Sequence, residues 1–420
     1  MPVPASPRDL LLASFLAAVA AADPARVVPP HLPAPPRGRT LVLGGGKAAA
    51  GMAAAVEANW PAHAPLGGLV VTRYRHSVPT RRIEVVEASH PLPDGRGEAA
   101  ALRMLDTART LGEDDLLLAL ISGGGSSLLA APVQGITLEE LRTLTRALLG
   151  AGAGIHAINT VRKHLTRLSG GQLARAANGA RVCALILSDV VGDDPADIAS
   201  GPCAPDPTTA ADASALLDRF GLVPPASIAA HLARIGTAAD TARPGETCFS
   251  RVDNRIVASA RASLSAGASV FEAAGIPAIV VSDRVSGEAA EAARHHAALA
   301  RASTRRPLAL LSGGETTVRL RPQHGRGGRN TEFLLALACE ETLPAAWALA
   351  CDTDGIDGSE DNAGAWLTPD TLLRARNLGL DAQARLLGND SHGFFAALGD
   401  LVVTGPTRTN VNDYRAILLL

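Results

Sequence analysis

Only two lysines stand among the 39 basic side chains, and one of them, Lys47, follows three glycines in the run Gly44-Gly45-Gly46-Lys47. A chain so biased towards arginine keeps an ammonium chiefly where a compact point charge does what a planar fork cannot. Backbone N–H groups of a glycine turn that opens a helix, with a lysine beside them, make an anion site. Two further loops repeat the theme. Residues 118–127 read LALISGGGSS and residues 308–317 read LALLSGGETT. Each sets small residues and hydroxyls just past an apolar run: Ser122, Gly123, Gly124, Gly125, Ser126 and Ser127 in the first, Ser312, Gly313, Gly314 and Glu315 in the second. Ser-Gly-Gly after a strand is also common turn chemistry, but hydroxyls crowd both loops, which suits them to cradling phosphate.

Carboxylates and arginines supply the complementary parts. Asp189, Asp193 and Asp194 follow the apolar run Leu185-Ile186-Leu187. Mg²⁺ held by one or two carboxylates plus substrate phosphates belongs in such an oxygen-rich, glycine-flanked turn. A second acidic run, Cys351–Gly358 with Asp354 inside it, lacks the spacing and terminal Glu of a calcium-binding EF-hand loop. The same acids would also serve as Asx turns. Arg326 and Arg329 lie on the loop His324-Gly325-Arg326-Gly327-Gly328-Arg329, which enters a helix through Asn330 and Glu332. Guanidinium forks on a glycine-rich scaffold suit bidentate recognition of phosphate or carboxylate. Arg162 and Lys163 read as a basic helix face near Asn159.

Familiar nucleotide and acyl-transfer patterns are missing. Gly44–Ala49 fits G-x-G-x-x-A, yet Arg73 stands after the second strand where a dinucleotide site needs an acid. There is no G-x-x-x-x-G-K-[ST] loop, no protein-kinase signature set and no G-x-S-x-G elbow.

The elements that must position these residues alternate along the chain. Strands are predicted at Thr40–Leu43, Gly68–Thr72, Ile83–Ala88, Asp115–Ile121 and Val182–Ser188. Helices are predicted at Ala48–Asn59, Gly97–Leu111, Thr137–Gly150 and Ile158–Asn178. A second series follows: strand Arg255–Ala258, helix to Ala274, strand Ala278–Val281, helix Gly287–Ser303 and strand Leu308–Leu311. That alternation predicts an α/β fold with largely parallel sheets. With 420 residues, 47% hydrophobic and 19% charged, the chain is expected to form two domains, 1–240 and 241–420, joined by a linker in Gly236–Glu246. A net charge of −2 gives no reason to expect nucleic acid or a membrane as partner. Five scattered cysteines without a CxxC fit reduced thiols and a cytoplasmic location. Ser6-Pro7-Arg8-Asp9 reads as the start of an amphipathic N-terminal helix rather than a targeting signal.

Taken together, Gly44–Gly51, SHPLPD (89–94), Ile121–Leu129, GIT (135–137), INTVRKHLTRLSGG (158–171), SDVVGDDPADIASGPCAPDPTT (188–209), Leu311–Phe333, DTDGIDGSEDNAG (352–364) and LGDLVVTGPTRTNVND (398–413) resemble the class II glycerate 2-kinases, whose C-terminal part is the MOFRL domain. Ser127 stands where that family often has Ala, and Arg408 where Gly is common. The resemblance implies a larger Rossmann-like N-terminal domain, a smaller α/β C-terminal domain and an active site in the cleft between them. It implies ATP- and Mg²⁺-dependent phosphorylation of D-glycerate to 2-phospho-D-glycerate, with small molecules as the only expected partners and a homodimer left open. Lys47, Asp189 and Arg326 become the expected catalytic residues, with Asp189, Asp193 and Asp194 about the metal. The glycine loops, Arg162, Lys163, Glu315, Arg329, Asn330, Glu332, Asp354 and Asn410 become the expected substrate and nucleotide contacts. Because the family was often labelled hydroxypyruvate reductase, an NAD(P)H-dependent reductase of hydroxypyruvate is the alternative.

Overall fold

The computed structural model describes residues 6–236, 238, 240–321, 325–340 and 343–420. They form two compact units, one of Pro24–Val257 and one of Ala258–Leu420 together with the residues up to Asp23.

The first unit is built on six strands: β1 (Thr40–Gly45), β2 (Leu66–Arg73), β3 (Ile83–Ala88), β4 (Leu116–Ile121), β5 (Arg181–Leu187) and β6 (Val252–Ala258). Their spatial order is β3-β2-β1-β4-β5-β6. β1 to β5 run parallel. β1 and β4 are buried at every position, as continuous apolar strands are when both faces of a sheet are covered. Gly45 at the end of β1 is level with Ile121 at the end of β4. Strand order reverses between these two neighbours, and open α/β sheets bind ligands at such a switch point.

The second unit has β7 (Ala278–Val285), β8 (Leu308–Gly314), β9 (Ala346–Asp352), β10 (Gly364–Leu367), β11 (Leu401–Val402) and β12 (Asp413–Leu419). The order is β11-β10-β9-β12-β8-β7. Only β7 and β8 pair in parallel; β12 runs between β8 and β9, antiparallel to both. The expectation of largely parallel sheets therefore holds for the first unit, and the second sheet is mixed.

Three local differences from the sequence reading matter for the site. One helix is predicted over Ile158–Asn178, but there are two, Ile155–Lys163 and Gln172–Ala176, because Gly170 and Gly171 between them are both left-handed. The predicted linker is no linker where it is described. Asp240 Oδ1 lies 2.9 Å from His164 Nδ1, Ala242 N–H donates to Gly170 O at 2.9 Å, and Ala242 O accepts from Asp206 N at 2.8 Å. These bonds hold the segment in the first unit, so the units divide near 257 rather than 240; residues 237 and 239 lie outside the described residues.

The third concerns the N-terminal helix Pro7–Ala20. Ser6 caps it in a capping box with Asp9, as its sequence predicts. Leu11, Phe15 and Ala18 recur at helical spacing and are buried with Leu264, Phe271 and Tyr414. Ser14 Oγ bonds to the Tyr414 hydroxyl and donates to Gly267 O at 2.7 Å. The helix thus belongs to the second unit's core. Among the described residues no single helix is long and apolar enough to cross a membrane.

Candidate active site

The Lys47 turn joins β1 to the helix Ala49–Asn59, and its backbone is stitched to the loop after β4. Lys47 N–H donates to Gly123 O at 2.8 Å, Ala48 N–H to Ser122 Oγ at 3.0 Å and Gly46 N–H to Val71 O at 3.0 Å. A Cβ built on Gly46 would lie 2.1 Å from Ser122 Oγ, so only glycine lets the two turns meet. Gly44, Gly45 and Gly46 therefore do not form the predicted anion cradle, since the N–H groups that would face a pyrophosphate are engaged within the protein.

The loop after β4 keeps its donors. Among the described residues the N–H groups of Gly123, Gly124 and Ser126 have no hydrogen-bond partner, whereas those of Ser122 and Gly125 are bonded. The half-exposed Lys47 side chain runs past this loop, its Cγ 3.5 Å from where a Cβ on Gly124 would sit. The His90 ring closes the other side, at 2.9 Å from the same point. The sequence reading gives His90 no role of its own. It follows β3 by two residues, and only the fold carries it to this loop. Ser127 Oγ donates to Pro91 O at 2.7 Å, tying the two segments together.

Asp189 is half-exposed and follows β5, the strand beside β4. Asp194 Oδ1 accepts from Ala196 N–H at 2.9 Å, an Asx turn, and Asp193 adopts a left-handed backbone (φ 56°) that turns the chain. Among the described residues no three Asp, Glu, His or Cys side chains gather to hold a metal ion. The donor set suits a hard cation held largely by a ligand's oxygens, not a protein-caged one.

Arg162 and Lys163 part company. Lys163 is buried and its Nζ lies 3.6 Å from Asp206 Oδ1, so it is a core ion pair and not a ligand contact. Arg162 is half-buried and donates to Asn159 Oδ1 at 3.3 Å. Burial pulls its guanidinium down to about 10.

The second unit gathers most of the remaining predicted residues, chiefly into structure. Ser312, Gly313 and Gly314 are not a loop: β8 runs through them, paired with Arg415, Tyr414 and Asp413 of β12. A Cβ on Gly314 (φ 117°) would lie 2.3 Å from Val285 O, so strand packing explains this glycine. Ser312 Oγ is buried against His296 Nε2 at 2.8 Å. Arg329 is held by three carboxylates, at 2.6 Å from Asp413, 2.7 Å from Asp352 and 2.6 Å from Glu315. Burial opposes its charge, but the three acids outweigh burial and hold the guanidinium well above its ordinary value.

Asn330 is buried, its amide donating to Asp413 Oδ1 at 2.8 Å. Asp357 accepts the N–H groups of Asn330 and Thr331, both at 2.9 Å, and so caps the helix Arg329–Ala338. Glu332 is buried and accepts from Asn389 Nδ2 at 3.0 Å; burial raises its carboxyl. Asp354 and Asn410 are buried and bond to neighbouring backbone. These contacts draw Ser312–Gly314, Arg329, Asn330, Glu332, Asp354 and Asn410 into the unit's internal bonding, although Asn330 Oδ1 is buried without a partner among the described residues. Arg326 differs. It is largely exposed, and among the described residues its side chain pairs only with Glu360, donating Nε–H at 2.9 Å. His324 lies outside the described residues.

Residues 10–233 match a family described as a domain of unknown function, DUF4147, and residues 308–413 match the MOFRL family. A putative hydroxypyruvate reductase of Agrobacterium vitis is 50% identical, covering 99% of this chain and 95% of that one. A D-glycerate 2-kinase of Thermotoga maritima is 36% identical, with 98% of each chain covered. The crystal structure of a glycerate kinase from Thermotoga maritima superposes with a TM-score of 0.85 at 34% identity, covering 99% of this chain and 100% of that one.

Proposed function

The chain belongs to the class II glycerate 2-kinase family, built from the DUF4147 and MOFRL domains, and on that premise we propose that it transfers the γ-phosphoryl group of ATP to the 2-hydroxyl of D-glycerate. The observation that carries this reading is the switch point between β1 and β4. The Lys47 side chain runs past Gly124 there, on a loop whose Gly123, Gly124 and Ser126 N–H groups have no partner among the described residues.

Phosphoryl transfer asks for positioning and charge neutralisation rather than covalent chemistry. The glycerate O2–phosphorus bond forms as the bond from the γ-phosphorus to the bridging oxygen of ADP breaks, and the proton of the 2-hydroxyl is released to water. Lys47 neutralises the charge on the transferring oxygens, and the Gly123–Ser126 N–H groups hold the phosphate. Asp189 orients the 2-hydroxyl or, with the donor's phosphates, holds Mg²⁺. When bound, Mg²⁺ supplies further charge neutralisation at the phosphate oxygens. Arg326, unlike Arg329, is available to stabilise charge in the transition state.

The name of the 50%-identical relative favours hydroxypyruvate reduction. Against it, the N–H groups of Lys47 and Ala48, which a dinucleotide's pyrophosphate would need, are bonded to Gly123 and Ser122. Incubation with ATP, Mg²⁺ and D-glycerate should yield 2-phosphoglycerate, identified by NMR. NADH oxidation by hydroxypyruvate in the absence of ATP, without glycerate phosphorylation, would reverse the assignment. Lys47→Ala and Lys47→Arg should each lower kcat by about 10²–10³-fold, because the ammonium acts in the transition state and a guanidinium cannot take its place beside Gly124. An arginine variant that kept most of its activity would refute the point-charge role.

A further inference from the structure

We propose that Arg162 is the carboxylate clamp of the acceptor site, held in place by Asn159 and, through Ser200, by Ser126. The inference rests on the glycerate kinase reading and assigns the part of the acceptor that this side chain binds. Among the described residues no carboxylate lies within 4.0 Å of Arg162. Its side chain makes one hydrogen bond, to a neutral amide. Three other half-buried arginines are paired with acids: Arg329 with three, Arg374 with Asp400 and Arg175 with Glu246. A half-buried cation without a counter-ion is costly by itself, and an incoming anion removes that cost. The depressed guanidinium accords with this.

The bonds around Arg162 lead back to the Lys47 loop. Ser200 Oγ donates to Asn159 Oδ1 at 3.0 Å, so Ser200 must accept from Ser126 Oγ, 2.8 Å away. Asn159 Nδ2 donates to Asp197 O at 3.1 Å, which fixes the amide with its oxygen towards Arg162. Ser200 is wholly buried and lies in a run of three left-handed residues, Ala199 (φ 51°), Ser200 (φ 60°) and Gly201 (φ 63°). Left-handed backbone is strained for an L-residue, and strain of this kind persists where the surroundings hold a side chain to a task. Here the task is to link Ser126, beside the phosphate loop, to the residue that orients Arg162.

A carboxylate fits this site better than a polyphosphate. Arg162 is a single fork in the last turn of the helix Ile155–Lys163. The negative end of the helix dipole there favours the cation and disfavours several phosphate charges beside it. One guanidinium matches one carboxylate in a bidentate pair.

Steady-state kinetics with D-glycerate and ATP varied separately test the assignment. Arg162→Ala should raise KM for D-glycerate by roughly 100-fold, as loss of a charged hydrogen-bonded pair does, and leave KM for ATP unchanged. Arg162→Lys should give a smaller rise in the same constant. Asn159→Asp places a carboxylate against the fork with little change of shape, so it should raise KM for D-glycerate while Tm is kept. A raised KM for ATP instead, or no change in either constant, overturns the proposal. The Arg162 Nε–Hε resonance, assigned by its loss in Arg162→Lys, supplies a readout independent of turnover. It should shift on titration with D-glycerate and not with glycerol. An enzyme that shows this shift but makes no phosphoglycerate refutes the kinase reading alone; no shift with either compound refutes the clamp.

Discussion

Arg326 and Arg329 stand on one loop and have opposite surroundings. Three acids surround Arg329, of which Asp413 and Asp352 are buried. Arg329→Ala would leave those carboxylates without their cation and should destabilise the protein by about 3–5 kcal/mol, read from urea unfolding. Arg326→Ala removes an exposed side chain and should leave the unfolding curve in place while lowering kcat. If both variants unfold like the parent, the network around Arg329 is not structural. The sequence displayed two equivalent guanidinium groups here, because the acids that separate them come from Glu315, Asp352 and Asp413, far apart in the chain. Lys163 carries the same lesson: rarity marked both lysines, but burial beside Asp206 took one out of the site. Asp189 and the Ser122–Ser127 loop were legible because strand ends deliver them locally.

Strands and turns explain what local pattern conveys and what it misses. β1 to β5 fall within two residues of their predicted limits, since parallel buried strands are continuous apolar runs. β9 and β10 escaped because Ala-rich strands flanked by Asp and Gly read as loop. The resemblance between the 118–127 and 308–317 segments is real as sequence but not as structure. The first strand stops at Ile121, whereas the second continues through Gly314 because β12 pairs with it.

On the helix Ala289–Ala302, packed against that second sheet, His296 Nδ1 donates to Ala292 O at 2.7 Å, so the neutral ring must accept Ser312 Oγ–H at Nε2. Burial, with Arg415 and His295 adding to it, takes the imidazole from 6.5 to about 4. Between those values the unfolded chain binds the proton and the folded one does not. Stability from this group is therefore complete above pH 6.5 and falls as pH drops towards 4, by about 1.4 kcal/mol per pH unit at most. His296→Gln should flatten urea midpoints measured from pH 7 to 4.5; an unchanged slope would contradict the buried neutral ring. The turn before β12 offers a test of strain. Arg408 is exposed and left-handed (φ 62°), a backbone that favours glycine. Arg408→Gly should raise stability by up to about 1 kcal/mol, seen as a higher Tm.

At the scale of the whole molecule, the second unit is assembled from both ends of the described chain. The helix Pro7–Ala20 covers Phe271 and Tyr414, and β12 lies in the middle of its sheet. Removing residues 1–23 would expose that core, so a fragment of 258–420 should be molten or aggregated by near-UV circular dichroism and regain order only when the 1–23 peptide is added. A fragment of 24–257 should fold alone, because its sheet is complete within those residues. This division was not legible in the sequence, where the N-terminal helix could be recognised but not its distant partner. Chain order also has a consequence on the ribosome. Pro24–Val257 can fold while synthesis continues, but β8 and β9 wait for a strand translated after both. The helix Pro7–Ala20 therefore waits through synthesis of the whole first unit before Leu264 and Phe271, and later Tyr414, supply the surface it covers. The Lys47 unit can therefore mature before β12 is made, whereas the MOFRL unit closes its sheet only once β12 has cleared the exit tunnel.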